Sequence, residues 1–179
     1  MNSDRGYFRP EQAREVARAF RECGVDYMFI GKSGAILLGY PAATQDVDLF
    51  VRKSVENGHR IVDALGRLEF EIDEQTAKEI ISGKDFVQLK NGPFDLDLVF
   101  APDGIPSFDE AKQRMHVIEG YPVASLRDII ASKRASNRKK DRLDLDLLEK
   151  FRLEFEKNLR GEPRSAVEIA LEKTKEEAE

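Results

Sequence analysis

A chain of 179 residues, 41% hydrophobic and 35% charged, has room for one well-formed core and a small appended element. Its formal charge of −5 argues against a surface coated for nucleic acid, and its single cysteine, Cys23, cannot close an internal disulfide. No apolar run approaches the length of a membrane span or a secretory leader, so the expectation is a cytoplasmic protein with no membrane partner.

Residues 1–9 read as a lead-in. Pro10 suits a first helical turn, and Ala13, Val16, Ala17 and Phe20 recur at helical spacing, which predicts a helix over about 10–23 stopped by Gly24. Cys23 is expected as a small buried residue at its end. Tyr27–Ile30 is the predicted first central strand; it feeds the Gly31 turn and then a short buried helix, Ser33–Tyr40, with Ile36 and Leu37 inward. Asp46–Val51 follows as a strand. Successive strand side chains alternate faces, so Asp46 and Asp48 share one face and Val47, Leu49 and Val51 the other. Two like charges on one face repel unless they stand at an exposed edge or a divalent cation neutralises them.

Ser54 is an N-cap for a helix to about Leu68, with Val55, Val62, Leu65 and Leu68 on its inner face, and a shorter helix is expected over Gln75–Ile81, ended near Gly83. Phe86–Leu89, Asn91-Gly92 and Phe94–Phe100 read as a β-hairpin, because Asn-Gly supplies the positive φ angles of a tight turn. The second arm carries another Asp-x-Asp, Asp95-Leu96-Asp97, with both acids on one face. Neither His59 nor His116 has a second histidine or cysteine at ligand spacing, which argues against zinc.

A turn at Ala101–Gly104, a short helix over Phe108–Arg114 and two extended pieces around Gly120 lead to Ser125, which has Asp128 at capping-box spacing. In the helix it starts, Leu126, Ile129 and Ile130 form the buried stripe, and Lys133 continues it. An unpaired buried ammonium is costly, so Lys133 is expected beside a carboxylate or a ligand phosphate. Six cations between Lys133 and Arg142 form a basic run, read either as a solvated helix face or as a phosphate or RNA contact. A last helix, about Lys140–Leu159, has Leu143, Leu147, Phe151 and Phe155 at four-residue spacing, and Asp141 near its start is a possible partner for Lys133. Gly161-Glu162-Pro163 breaks the chain before an acidic tail with a thin stripe of Val167, Ala170 and Leu171. The expected organisation is one unit over 1–160 and a tail over 161–179.

Two hard carboxylates on one strand, a third from another and a glycine turn whose N–H groups can face phosphate make a minimal kit for metal-assisted nucleotidyl transfer. Gly31-Lys32-Ser33 does not make a P-loop, since Asp26 stands where that motif requires glycine. The turn, the short helix, the Asp46-Val47-Asp48 strand, the later Asp97 and the segment Pro122–Asp144 together resemble the polymerase-beta-like nucleotidyltransferases. Within them the similarity is to the small prokaryotic members grouped with abortive-infection and toxin–antitoxin proteins. It covers about residues 10–150.

This resemblance implies an α+β fold, a small mixed sheet flanked by helices with further helices at the C-terminus. It implies Mg²⁺, as a two-ion site, on Asp46, Asp48 and Asp97, with Asp97 taking the proton of the acceptor hydroxyl and Asp95 as the fallback third acid. It further implies an NTP substrate held by Gly31, Lys32, Ser33, Thr44 and Lys133, and an acceptor that is a tRNA, a protein or a small molecule. The chain departs from the pattern where Lys32 takes the place of the usual second small residue of the turn, and where Ala42 and Ala43 stand where relatives carry an arginine. The first departure gives weight to a second reading, a non-catalytic, antitoxin-like module that grips a partner protein.

Overall fold

The computed structural model describes residues 6–159, without the side chains of Lys140 and Asp141. The acidic tail and the expected partnership of Asp141 lie outside what is described. Helix α1 (Pro10–Glu22) begins on its proline and presents Ala13, Val16 and Phe20 inward; strand β1 (Tyr27–Ile30), buried throughout, runs directly into α2 (Gly31–Leu37). Strand β2 (Asp46–Val51) leads to α3 (Val55–Arg67), where the Ser54 hydroxyl accepts from the Asn57 N–H. Asp73 caps α4 (Glu74–Ser82), and Gly83 ends it in the left-handed region. Strands β3 (Phe86–Leu89) and β4 (Asp95–Val99) precede α5 (Phe108–Arg114). Strands β5 (His116–Ile118) and β6 (Tyr121–Val123) follow, and then α6 (Leu126–Ser136) and α7 (Lys139–Leu159).

The six strands make one mixed sheet in the order β3-β4-β2-β1-β6-β5, so the expected α+β class, a mixed sheet flanked by helices, is what the chain adopts. Strands β2 and β4 are parallel, although both of their other neighbours, β1 and β3, run antiparallel to them. Tyr27, Phe29, Leu49 and Val51 share one face of the sheet, where Phe20 of α1 meets Tyr27 edge-on at 4.9 Å. Met28, Ile30, Asp48 and Phe50 share the other, where Phe108 of α5 meets Phe50 at 5.1 Å. Burial of side chains such as Phe29, Leu49 and Ile129 drives this assembly, at about 1.5–3 kcal/mol each.

Four expectations are corrected. The loop over 90–94 is wider than a two-residue turn, and neither Asn91 nor Gly92 has a positive φ. Glycine is needed at 92 for space: a Cβ there would stand 2.1 Å from the Phe70 ring, which packs edge-on against Phe94. Val55 is exposed because it opens α3 ahead of the turn that meets the core, and Asn57 and Ile61 take the inward positions. Leu143 and Leu147 are also exposed. A four-residue step advances about 40° around a helix, so a strict four-residue spacing winds off the buried stripe; the expected Phe151 and Phe155 do pack on the core, and Leu148 takes the place of Leu147 beside them. Cys23 is half-buried at the rim of the core.

Candidate active site

The parallel pairing of β2 with β4 sets Asp46 opposite Asp95 and Asp48 opposite Asp97. Paired residues of parallel strands project to the same side, so two segments almost fifty positions apart deliver their acids to one face. Asp46, Asp48 and Asp97 line a cavity of about 700 Å³ together with Gly31, Lys32, Thr44 and Lys133. Seven of the eight residues expected at the site are thus brought together; Asp95 is absent from the lining.

Ser33 is the eighth, and its side chain is turned away. It is fully buried; its hydroxyl donates to the Ile30 carbonyl and accepts from the Asp48 N–H, both at 3.0 Å. The hydroxyl therefore fixes where Asp48 leaves the strand. Gly31 is equally constrained, with φ at +65° and Asp48 so close that a Cβ would lie 2.5 Å from its Oδ2. The turn that opens α2 thus clamps Asp48 from two sides.

The carboxyl groups of Asp48 and Asp97 are within hydrogen-bonding reach of one another. Burial first, then the charge of Asp97, pushes Asp48 well above the usual carboxylate range; Asp46 adds to this and the Lys133 ammonium offsets part of it. Burial also raises Asp97, and its contacts with Asp48 and the Gln88 side chain pull it partly back. Asp97 Oδ1 is buried with no hydrogen-bond partner. Two crowded, buried carboxyls with an oxygen left unsatisfied form a donor set suited to a hard divalent cation. Among the described residues no three His, Cys, Asp or Glu side chains are drawn together as a finished metal cage.

Lys133 lines the same cavity, where its ammonium offsets part of the charge that raises Asp48. Arg138 lines the cavity, Arg134 pairs with Glu149 at 3.0 Å, and Arg142 donates to Asn137 Oδ1. Lys32 meets Asp144 of α7 at 2.8 Å inside the cavity. Neither Asp144, near the start of α7, nor Arg138, just before that helix, was among the residues expected to hold the ligand; nothing in their spacing ties them to the Asp-x-Asp strands.

Asp128 also does more than cap. The Ser125 hydroxyl accepts from its N–H as expected, but its carboxylate takes both arms of the Arg114 fork at 3.0 Å, which joins α5 to α6. His116 rests edge-on against Phe155, and burial lowers its pKa.

No known protein family and no curated protein matches this chain. Among solved structures, JHP933 from Helicobacter pylori is similar at 17% identity with a TM-score of 0.45, over 78% of this chain and 67% of that one. TM1012 from Thermotoga maritima, provisionally named a nucleotidyltransferase, is similar at 16% identity with a TM-score of 0.43, over 86% and 93%. Neither likeness carries chemistry into this cavity. No helix of the described residues is long and apolar enough to cross a membrane.

Proposed function

We propose that the chain is a Mg²⁺-dependent nucleotidyltransferase that moves a nucleoside monophosphate from an NTP to an acceptor hydroxyl. The observation that carries this is the side-by-side placing of Asp48 and Asp97, with Asp46 and Lys133, at one cavity of about 700 Å³, a size suited to a small-molecule ligand. Asp46, Asp48 and Asp97 would hold the divalent ions, which when bound neutralise the triphosphate and make the acceptor hydroxyl more acidic.

The remaining chemistry falls to the chain. Asp97 receives the proton of the acceptor hydroxyl, whose oxygen forms a bond to the α-phosphorus as the bond to the bridging oxygen breaks and pyrophosphate leaves. Lys32 and Lys133 offset charge on the phosphates, with Gly31 and Thr44 beside them. Ser33 serves by positioning Asp48. The acceptor is a tRNA, a protein or a small molecule, and labelled NTP incubated with cell extract names its class.

Calorimetry with Mg²⁺ and each of the four NTPs tests the reading on wild type and Asp48→Asn. Binding by wild type that the variant loses is the expected result. Equal binding by the two proteins, or none by wild type, would overturn it.

A further inference from the structure

Lys32 belongs to the opening turn of α2 and Asp144 to α7, so their contact at 2.8 Å ties two elements far apart in sequence within the cavity. The two side chains keep 29% and 25% of their surface, so water screens the pair and its direct contribution to stability is small. Its use lies in where it places charge. The residue before Lys32 is Gly31, which stands in contact range of the Asp48 carboxylate. A lysine stem is long and flexible, and an ammonium left loose beside two crowded carboxyls is drawn to them. It would then neutralise Asp48 and Asp97 itself and compete with any cation for them.

Asp144 provides another anion for that ammonium, and α7 is fixed well enough to hold it there. The ring of Tyr40, just beyond α2, packs on Phe151 of α7 at 5.5 Å, and the Arg134–Glu149 pair ties α7 to α6. An ammonium has three donors, so one bound to Asp144 keeps others for phosphate oxygens. A lysine already held has also lost part of the rotamer freedom that binding would otherwise remove.

We infer that Asp144 is a positioning residue for the nucleotide site: it holds Lys32 off the Asp48–Asp97 pair and presents its ammonium to the ligand's phosphates. This rests on the transferase reading above, and it makes α7 part of the site. It also gives the unusual Lys32 a use, since the charge that replaces a small residue of the turn is matched by an acid on another helix.

The test uses the full chain and two titrations, Mn²⁺ alone followed by electron paramagnetic resonance and Mg²⁺ with each NTP by calorimetry. The proteins are wild type, Asp144→Asn, Asp144→Glu, Lys32→Met and the Asp144→Asn/Lys32→Met double variant. Asp144→Asn is expected to weaken both Mn²⁺ and NTP binding by about tenfold. Lys32→Met weakens NTP binding but leaves Mn²⁺ binding at least as tight as in wild type, and the double variant binds Mn²⁺ like Lys32→Met. Asp144→Glu restores most of the loss, and melting temperatures stay within about 2 °C of wild type, as loss of a screened pair implies.

Wild-type affinities in Asp144→Asn would overturn the positioning role while leaving the transferase reading intact. So would a loss of Mn²⁺ binding that persists undiminished in the double variant, since Asp144 would then act without Lys32. Wild type binding neither Mn²⁺ nor any NTP would overturn both.

Discussion

The hydroxyl of Ser33 and the main-chain amide of Asp48 are joined at 3.0 Å across fifteen positions of sequence, with the same hydroxyl donating to the Ile30 carbonyl. One buried side chain thus sets the spacing between the opening of α2 and the strand that carries the central acid. Ser33→Ala should leave the Asp48 N–H and the Ile30 carbonyl without this partner, at about 1–3 kcal/mol of stability. Urea denaturation measures that loss. A shift under about 0.5 kcal/mol would mean that the contact is not maintained in solution.

The Asp48–Asp97 pair predicts a pH dependence of definite sign. Both acids are raised in the folded protein, mainly by burial, whereas the unfolded chain releases their protons near pH 4, about the ordinary carboxylate value. Their contribution to stability is therefore full below about pH 4 and is lost as pH rises through the raised folded values. Unfolding followed from about pH 4 to 8 should show metal-free wild type losing stability relative to Asp48→Asn, so that the variant is the more stable at neutral pH. Mg²⁺ should reverse this at neutral pH and have little effect near pH 4, about where the acids hold protons. Parallel pH profiles for the two proteins would remove the pair as the cause.

The alternation of Asp46-Val47-Asp48 and of Asp95-Leu96-Asp97 was enough to place each pair of acids on one face, because a strand's period of two is local. Which acid of β4 meets which acid of β2 is a matter of register between strands, and only the folded sheet shows Asp48 opposite Asp97. The helix boundaries followed from caps such as Ser54 and Ser125, which act within four residues. Lys32–Asp144, Arg114–Asp128 and the burial of Asn57 were invisible for the same physical reason: each joins a side chain to groups that no local period relates to it. The spacing of Leu143 and Leu147 misled because apolar residues at a constant step of four drift around the helix.

Asn57, nearly fully buried in α3, illustrates how much one such contact can hold. Its Oδ1 accepts from the Asp26 N–H at 2.8 Å, and its Nδ2 donates to the carbonyls of Asp26 and Arg52 at 3.1 and 2.8 Å. These are the entry to β1 and the exit of β2, so the amide fastens the two central strands to one helix. Asn57→Leu keeps the branched shape and removes three hydrogen bonds, leaving the Asp26 N–H and the Arg52 carbonyl without these partners, while the Asp26 carbonyl keeps the Arg52 N–H at 3.1 Å. About 3 kcal/mol or more of stability should be lost in chemical denaturation, and a loss below about 1 kcal/mol would show that water replaces the amide.

Gly31 joins the backbone of the turn to the chemistry of the acids. Its φ of +65° strains any side chain, and a methyl there would stand 2.5 Å from Asp48 Oδ2 and 3.3 Å from Asp48 Cβ. Alanine at this position must therefore either twist the entry to α2 or push the Asp48 carboxylate off Asp97. The backbone strain costs about 1–2 kcal/mol, well within what a chain of this size withstands. Displacement of Asp48 separates the two carboxyls, and with them the affinity for a divalent ion. Gly31→Ala is accordingly expected to fold, to melt a few degrees lower, and to bind Mn²⁺ at least tenfold more weakly than wild type. Ser33→Ala, which frees Asp48 without crowding it, should weaken Mn²⁺ less. Reversal of that order would show that the hydroxyl, and not the absent Cβ, chiefly holds Asp48 in place.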